Sequence, residues 1–363
     1  MGSILTPTSG PLSMLRFLWM PLVIVAIAWM AFGCGGGFNP EAASYGIDLS
    51  RVDERCAGAI RIDGSSTVYK ISQAAAEEFC LAAKSVVISV AYKGTGGGFK
   101  SFVRGELDIC DASRPIQESE VAKCKEHGVE FIELPIAFDA LTIAVNRKAD
   151  WVDSMTVDEL KKLWEPAATN KVMKWNDIRP NWPDKEIKLF GAGTDSGTFE
   201  YFTEAVVGQK NNSRSDYTAA ENDNVIIKGI EGDRYALGYV PYAYYAPRSQ
   251  SLKALSIDWE KNDLGAIAPS PQTVEEGTYA PLSRPLFLYV NKQSAERPEV
   301  AAFIEFYLRN GSAIAKIAKY IPLPESAYQQ VIKRFDERRA GTAFGGHSRF
   351  GMHIDDVLQL ELK

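Results

Sequence analysis

Histidine is scarce in this chain: His127, His347 and His353 are the only three among 363 residues. The last two fall in a glycine-rich C-terminal stretch, and surface or structural roles suit all three. No CxxC pair and no Cys/His cluster occurs, so the usual signs of a metal site are missing. The common phosphate and nucleophile signatures are missing too. "GTGGGFKSF" lacks the Gly-Lys-Ser/Thr ending of a P-loop, and it does not fit G-x-G-x-x-G with a helix-facing final glycine. "GTDSGT" around Ser196 is not the G-x-S-x-G of a nucleophile elbow. Nor is there an excess of basic residues, with 40 Lys and Arg against 46 Asp and Glu, which argues against nucleic acid or an anionic membrane surface as partner. The sequence therefore calls for no cofactor and no resident metal.

What is present starts at the N-terminus. Arg16 precedes "FLWMPLVIVAIAWMAF", an apolar run of signal-peptide length, and "GCGGG" follows. A spanning helix needs about 20 apolar residues, so a retained anchor is the weaker reading and an export signal over residues 1–34 the stronger. "AFGC" resembles a lipobox, with Ala31 where leucine is usual. Cys34 is thus the candidate lipid anchor, and plain secretion with Cys34 as a leftover thiol is the alternative. Removing residues 1–34 takes one arginine and no acid, leaving 39 basic and 46 acidic groups and a net charge of −7. Residues 35–55 mix Gly, Asn, Pro and Ser without clear periodicity, which suits a flexible linker, with the folded part beginning near Cys56. Cys56, Cys80, Cys110 and Cys124 are an even set in a compartment outside the cytoplasm. One or two disulfides are expected there, the three pairings staying open, with buried thiols as the alternative.

The folded part alternates apolar strand-like runs with helical ones, the pattern of an α/β protein whose parallel sheet is covered by helices. In "AIRIDGSSTVYKISQAAAEEFC" a strand over Ala59 to Ile62 runs into Ser65, Ser66 and Thr67 where an N-cap belongs. Val68, Ile71, Ala75 and Phe79 follow at helical spacing. "VVISVAYK" leads into "GTGGG", whose glycines leave backbone N–H groups uncovered for a ligand, and then into "FKSFVRGEL". "LDICDASRP" predicts a strand ended by Pro115 at the start of the next helix. "IKLFGAG" leads through "TDSGT" into "FEYFTEAVV". One such hydroxyl-rich junction is ordinary capping. Four of them, at the carboxyl ends of parallel strands where ligands bind, point to a small oxyanion held by helix N-termini and hydroxyls.

Together "DGSSTVYKI", "YKGTGGGFKSF", "DASRPI", "TDSGTFEYF" and "ALGYVPYAYY" resemble, in the same order, the phosphate-binding proteins of bacterial phosphate ABC transporters over most of residues 57–340. The resemblance implies a two-lobed periplasmic-binding-protein fold of type II, with the ligand cleft between lobes joined by a hinge. Lobe I then takes residues 56–142 and 284–363 with the C-terminal tail, and lobe II residues 143–283. Crossovers are expected near "PIAFDALTIAVN" and "TYAPLSRPLFLYVN". It implies an extracytoplasmic monomer that binds inorganic phosphate and delivers it to a membrane permease, with a lipid anchor holding it at the membrane and no enzymatic step. Carried over by motif, the ligand residues are Ser66, Thr67, Val68, Thr95, Gly96, Ser196, Gly197 and Thr198.

Two departures stand out. Arg114 occupies the place of the family's proton-accepting aspartate, and Ala192 that of an arginine shortly before Ser-Gly-Thr. Arg114 is therefore expected to grip the oxyanion bidentately, with pairing to Glu118 across one turn as its alternative. Asp195, Asp139 and Asp63 are the candidate acceptors of the anion's proton, Asp195 first, with an N-cap as its alternative role. "SRSDYTAAENDN" is expected near the cleft, with Arg214 or Asn224 as conjectured contacts, and "ALGYVPYAYYAP" as an aromatic strand packed in lobe II. Sulfate, molybdate or arsenate are the alternative ligands. A secreted phosphoester hydrolase using Ser196 or Thr67 is the alternative class, but it needs a metal pair or a general base beside the hydroxyl.

Overall fold

The computed structural model describes residues 45–261 and 263–344. Cys34, the signal segment, His347 and His353 lie outside the described residues. In the first strand, β1 (Ala57–Gly64), Ile60 and Ile62 are buried while Ala59 and Arg61 are exposed. It delivers the chain to helix α1 (Ser66–Ala82). Val68, Ile71, Ala75 and Phe79 of α1 are buried, and Phe79 meets Phe303 edge-on with ring centroids 5.4 Å apart. This one-sided apolar stripe holds α1 against the sheet. β2 (Ser85–Val90), helix α2 (Thr95–Phe102), β3 (Ile109–Ala112) and helix α3 (Glu118–Glu126) follow. Further along come β5 (Lys188–Ala192), helix α4 (Gly197–Phe202), β6 (Thr218–Ala220), helix α5 (Asp223–Gly232) and β7 (Ala236–Pro241).

Two long strands knit the halves: β4 (Phe131–Asn146) and β8 (Ser283–Asn291). The strand order is β2-β1-β3-β8-β4-β7-β5-β6. β1, β2 and β3 pair in parallel, as do β5, β6 and β7. The sequence pattern predicts a parallel sheet, but β8 runs antiparallel to both β3 and β4, and β4 antiparallel to β7. The strands that pass between lobes have to reverse direction, and a strand-helix alternation does not register them.

β4 is buried along all 16 residues. It pairs with β8 up to Ala140 and with β7 from Leu141, so it lies in both cores and reads as one apolar run. Its acids are individually satisfied. Glu133 accepts from Tyr289 Oη at 2.8 Å, Thr342 Oγ1 at 2.5 Å and the Ala343 amide at 2.8 Å.

Three further expectations differ from the structure. The segment called a linker packs from Ile47 onward: Ile47, Leu49 and Val52 lie on the core, and the Asp48 amide donates to Asn310 Oδ1 at 2.7 Å. Pro115 does not open a helix; α3 begins at Glu118, capped by Gln117 with Glu120 as the reciprocal partner. The four cysteines form no disulfide with one another. Cys110 and Cys124 are buried thiols, Cys56 is half-buried, and Cys80 donates to the Val86 carbonyl. Burial raises the pKa of the Cys110 and Cys124 thiols, that of Cys124 to about 12, which keeps them inert.

Candidate anion-binding site

Two strand-to-helix junctions, β1 to α1 and β5 to α4, share a local design. Ser65 caps α1, its hydroxyl oxygen accepting the Thr67 amide at 3.2 Å. Ser196 caps α4 in the same way, accepting the Thr198 amide at 3.1 Å. Each cap occupies the serine oxygen and leaves the threonine two residues on to face the other lobe. Thr67 Oγ1 and Thr198 Oγ1 stand 3.3 Å apart, both buried.

Arg284 of β8 reaches the same point. Its Nη2 donates to Thr67 Oγ1 at 3.2 Å and to Thr198 Oγ1 at 2.8 Å, and its Nη1 to the carbonyls of Ser113 and Gly197, both at 3.2 Å. Arg284 sits directly opposite Asp139 in the β4–β8 ladder, and Asp139 Oδ2 takes its Nε at 3.2 Å and its Nη2 at 3.0 Å. Burial pushes the Asp139 carboxyl up, while the guanidinium and the Tyr242 amide pull it back. Both partners are wholly buried, so neither tolerates loss of the other. A fixed cation, two hydroxyls from opposite lobes and first-turn amides of α1 form a donor-rich point suited to a small oxyanion.

Glycine permits the approach. A Cβ on Gly197 would lie 2.4 Å from Thr95 Oγ1 and 2.6 Å from Ser113 Oγ. The run Gly96 to Gly98 does less for a ligand than the sequence suggests, because it forms the first turn of α2. A Cβ on Gly98 would meet Gly64 Cα at 2.6 Å, and the Gly96 amide donates to the Asp195 carbonyl across the cleft at 3.1 Å.

The expected residues divide accordingly. Thr67, Thr198 and Gly197 meet at Arg284. Ser66 lies beside them, its carbonyl accepting from Tyr244 Oη at 3.0 Å. Val68 has its side chain in the core and its amide in the first turn of α1. Thr95 contacts Ser113, Oγ1 to Oγ at 3.2 Å. Asp195 is half-exposed and bound to Lys100 at 2.9 Å. Asp63 is occupied by the Gly64 and Lys93 amides and by Lys93 Nζ at 2.7 Å. Arg214 is held by Asp216 and the carbonyls of Leu163 and Val172.

Arg114 is the main correction. It is 1% exposed and grips Glu120 bidentately, both contacts at 2.8 Å, so its partner is Glu120 and not Glu118. Its remaining face forms an ion pair with Glu200 of lobe II, to which Gln117 Nε2 also donates at 2.7 Å. Two carboxylates already compensate this guanidinium, and the geometry makes it a clasp between lobes. Arg284, which sequence reasoning missed, supplies the cation at the threonines; its signal was a lone charge in "PLSRPLFLYV". Glu200→Gln should weaken anion affinity about tenfold, mostly through faster release, since it removes a charge from an interlobe pair without touching the threonines. Stopped-flow dissociation measures this, and an unchanged release rate would remove the clasp from the account.

The chain as a whole is similar to known proteins. The model of the PBP superfamily domain matches residues 49–310. Protein SphX of Synechocystis is 48% identical over 83% of this chain and 89% of its own. The phosphate-binding protein PstS of Staphylococcus saprophyticus is 33% identical over 84% of this chain and 89% of its own. The crystal structure of a possible phosphate binding protein from Planctomyces limnophilus superposes with a TM-score of 0.61 at 46% identity, covering 78% of this chain and 99% of that one. The chain belongs to the PBP superfamily, in the branch that holds the SphX and PstS proteins.

Proposed function

We propose that this protein is an extracytoplasmic receptor that captures inorganic phosphate between its lobes and delivers it, closed, to the permease of a phosphate ABC transporter. The observation that carries the reading is the meeting of Thr67, Thr198 and Arg284, drawn from three separate chain segments and both lobes. The similarity to the phosphate-binding protein PstS of Staphylococcus saprophyticus over 84% of this chain supports it. Lobe I comprises residues to about 142 and from 284, lobe II residues 143–283, with the hinge where β4 and β8 cross. Cys34 anchors the chain by lipid, and the receptor works as a monomer. Closure brings both threonines onto one tetrahedral anion, and the permease reads the closed shape.

No covalent step is needed. A hydrolase would require a base beside Ser196 or Thr67, whereas these hydroxyls meet an amide, a hydroxyl and a guanidinium. Calorimetric titration of protein stripped of endogenous anion should show tight phosphate binding, with sulfate weaker by at least about 100-fold. Absence of phosphate binding by folded, stripped protein would overturn the phosphate reading and favour sulfate, molybdate or arsenate, each titrated in turn. Turnover of a chromogenic phosphate ester would favour the enzyme.

A further inference from the structure

The aromatic stretch "ALGYVPYAYYAP", expected as one packed strand, divides at Pro241: β7 ends there, and Tyr242–Tyr245 form a single helical turn. That turn meets the start of α1, 173 to 178 residues away in sequence, through three contacts. Tyr244 Oη donates to the Ser66 carbonyl at 3.0 Å, and Lys70 Nζ donates to the Ala243 carbonyl at 3.4 Å. The same Nζ lies 3.2 Å from the Tyr244 ring centroid. Each segment thus gives a side-chain donor to a backbone carbonyl of the other. Tyr244 is buried. Burial lowers the Lys70 pKa to about 8, with Arg248 acting the same way and Asp223 and Asp139 opposing it, so the ammonium is charged at neutral pH. These contacts bear on the donors of the anion site. The Ser66 carbonyl and the Thr67 amide share one peptide plane. Ser65 Oγ holds its N–H end and Tyr244 its C=O end, which fixes the point from which the Thr67 hydroxyl projects. The same turn reaches the cation: the Tyr242 amide donates to Asp139 Oδ1 at 3.2 Å, and Asp139 Oδ2 holds Arg284.

We propose that Tyr244 and Lys70 form a closing contact, in which the aromatic turn docks on the first turn of α1 as the lobes close and positions Thr67 for the bound anion. The inference rests on the phosphate-receptor reading above and on its division into lobes, under which α1 and the aromatic turn lie on opposite sides of the cleft. Tyr244 is a positioning residue, acting on the anion through the Ser66–Thr67 peptide. In the open protein, water serves the Lys70 ammonium and the Tyr244 hydroxyl. On closure the two carbonyls and the aromatic ring replace that water. A cation over a desolvated ring is held more strongly than one in solvent, so the contact opposes reopening and acts mainly on release.

The test is a double-mutant cycle of Lys70→Met, Tyr244→Leu and the two together, in protein stripped of endogenous anion and kept near neutral pH. Phosphate affinity, the stopped-flow release rate and the ligand-free unfolding temperature are read for each. Tyr244→Leu should weaken phosphate binding by about 10- to 50-fold, mostly through faster release. The two substitutions should be coupled by about 5- to 30-fold in affinity and uncoupled in the ligand-free unfolding temperature, because the contact belongs to the closed state. Tyr244→Phe keeps the ring and loses the hydroxyl. It should release phosphate about 2- to 10-fold faster, with Lys70→Met costing as much affinity in its background as in the wild type, and it carries the test if Tyr244→Leu does not fold. Additive effects in affinity, coupling in the ligand-free unfolding temperature, or an unchanged release rate in Tyr244→Phe would each overturn the closing contact while phosphate binding by the wild type leaves the receptor reading standing. Failure of the wild type to bind phosphate would overturn both.

Discussion

Replacing Arg284 by alanine should weaken phosphate binding by about 100- to 1000-fold, the largest effect of any single substitution in the site. The change removes a residue that touches both threonine hydroxyls and the Ser113 and Gly197 carbonyls together. It also leaves Asp139 buried without its cation, at a cost of about 3–5 kcal/mol in stability. The pH dependence separates the two losses. In the native pair Asp139 already has a raised pKa from burial, partly offset by Arg284. Without Arg284 it rises further, so the folded state holds a proton that the unfolded chain releases. Stability then falls as pH rises between the unfolded and folded pKa values and returns as pH drops. Thermal unfolding at about pH 5 and about pH 8 should therefore show the smaller deficit at the acidic end. The pair Arg284→Met with Asp139→Leu removes both charges and should recover much of the stability without recovering binding. Recovery of binding in that double variant would show that Arg284 serves the fold alone.

Gly197→Ala should cost nearly as much affinity, about 100-fold, for a steric reason. Its Cβ would meet Thr95 Oγ1 at 2.4 Å and Ser113 Oγ at 2.6 Å. Neither atom can give way freely. Thr95 is wholly buried, and its Oγ1 already accepts the Ser113 amide at 3.2 Å. Gly197 opens α4 while Thr95 opens α2 and Ser113 follows β3, so the methyl group acts as a wedge between these elements and leaves the core untouched. The expected signature is weak phosphate binding with a ligand-free unfolding temperature within a few degrees of wild type. Solution scattering of the phosphate-saturated variant should show a more open particle than the wild type. Wild-type affinity in Gly197→Ala would mean that the lobes need not approach this closely to hold the anion.

The helix-start hydroxyls were legible in the sequence because capping is local. Ser65-Ser66-Thr67 and Ser196-Gly197-Thr198 announce their geometry within a few residues, and the structure brings both threonines to one point. The crossover strands were legible only as apolar runs. Their antiparallel pairing, which sets Arg284 opposite Asp139, depends on contacts 145 residues apart. A lone arginine in "LSRPLFLYV" and a lone aspartate in "IAFDALTIAV" are the trace such a pair leaves, and it becomes readable only when the two are considered together. Arg114 misled for the same reason. Its motif position is at a strand end facing the cleft, but Glu120 six residues on and Glu200 from the other lobe decide where the guanidinium points. Asp223, one residue from the conjectured Asn224 in the stretch expected near the cleft, carries a buried carboxylate that its polar neighbours in sequence do not announce.

The account stands or falls on where the anion sits. Arsenate matches phosphate in shape and protonation and scatters anomalously at the arsenic edge, so a crystal of stripped protein grown with arsenate locates the ligand without reference to side-chain density. The anomalous peak should lie within hydrogen-bond reach of Thr67 Oγ1, Thr198 Oγ1 and the Arg284 guanidinium. A peak beside Arg114, between Glu120 and Glu200, or one outside the interlobe cleft, would contradict it.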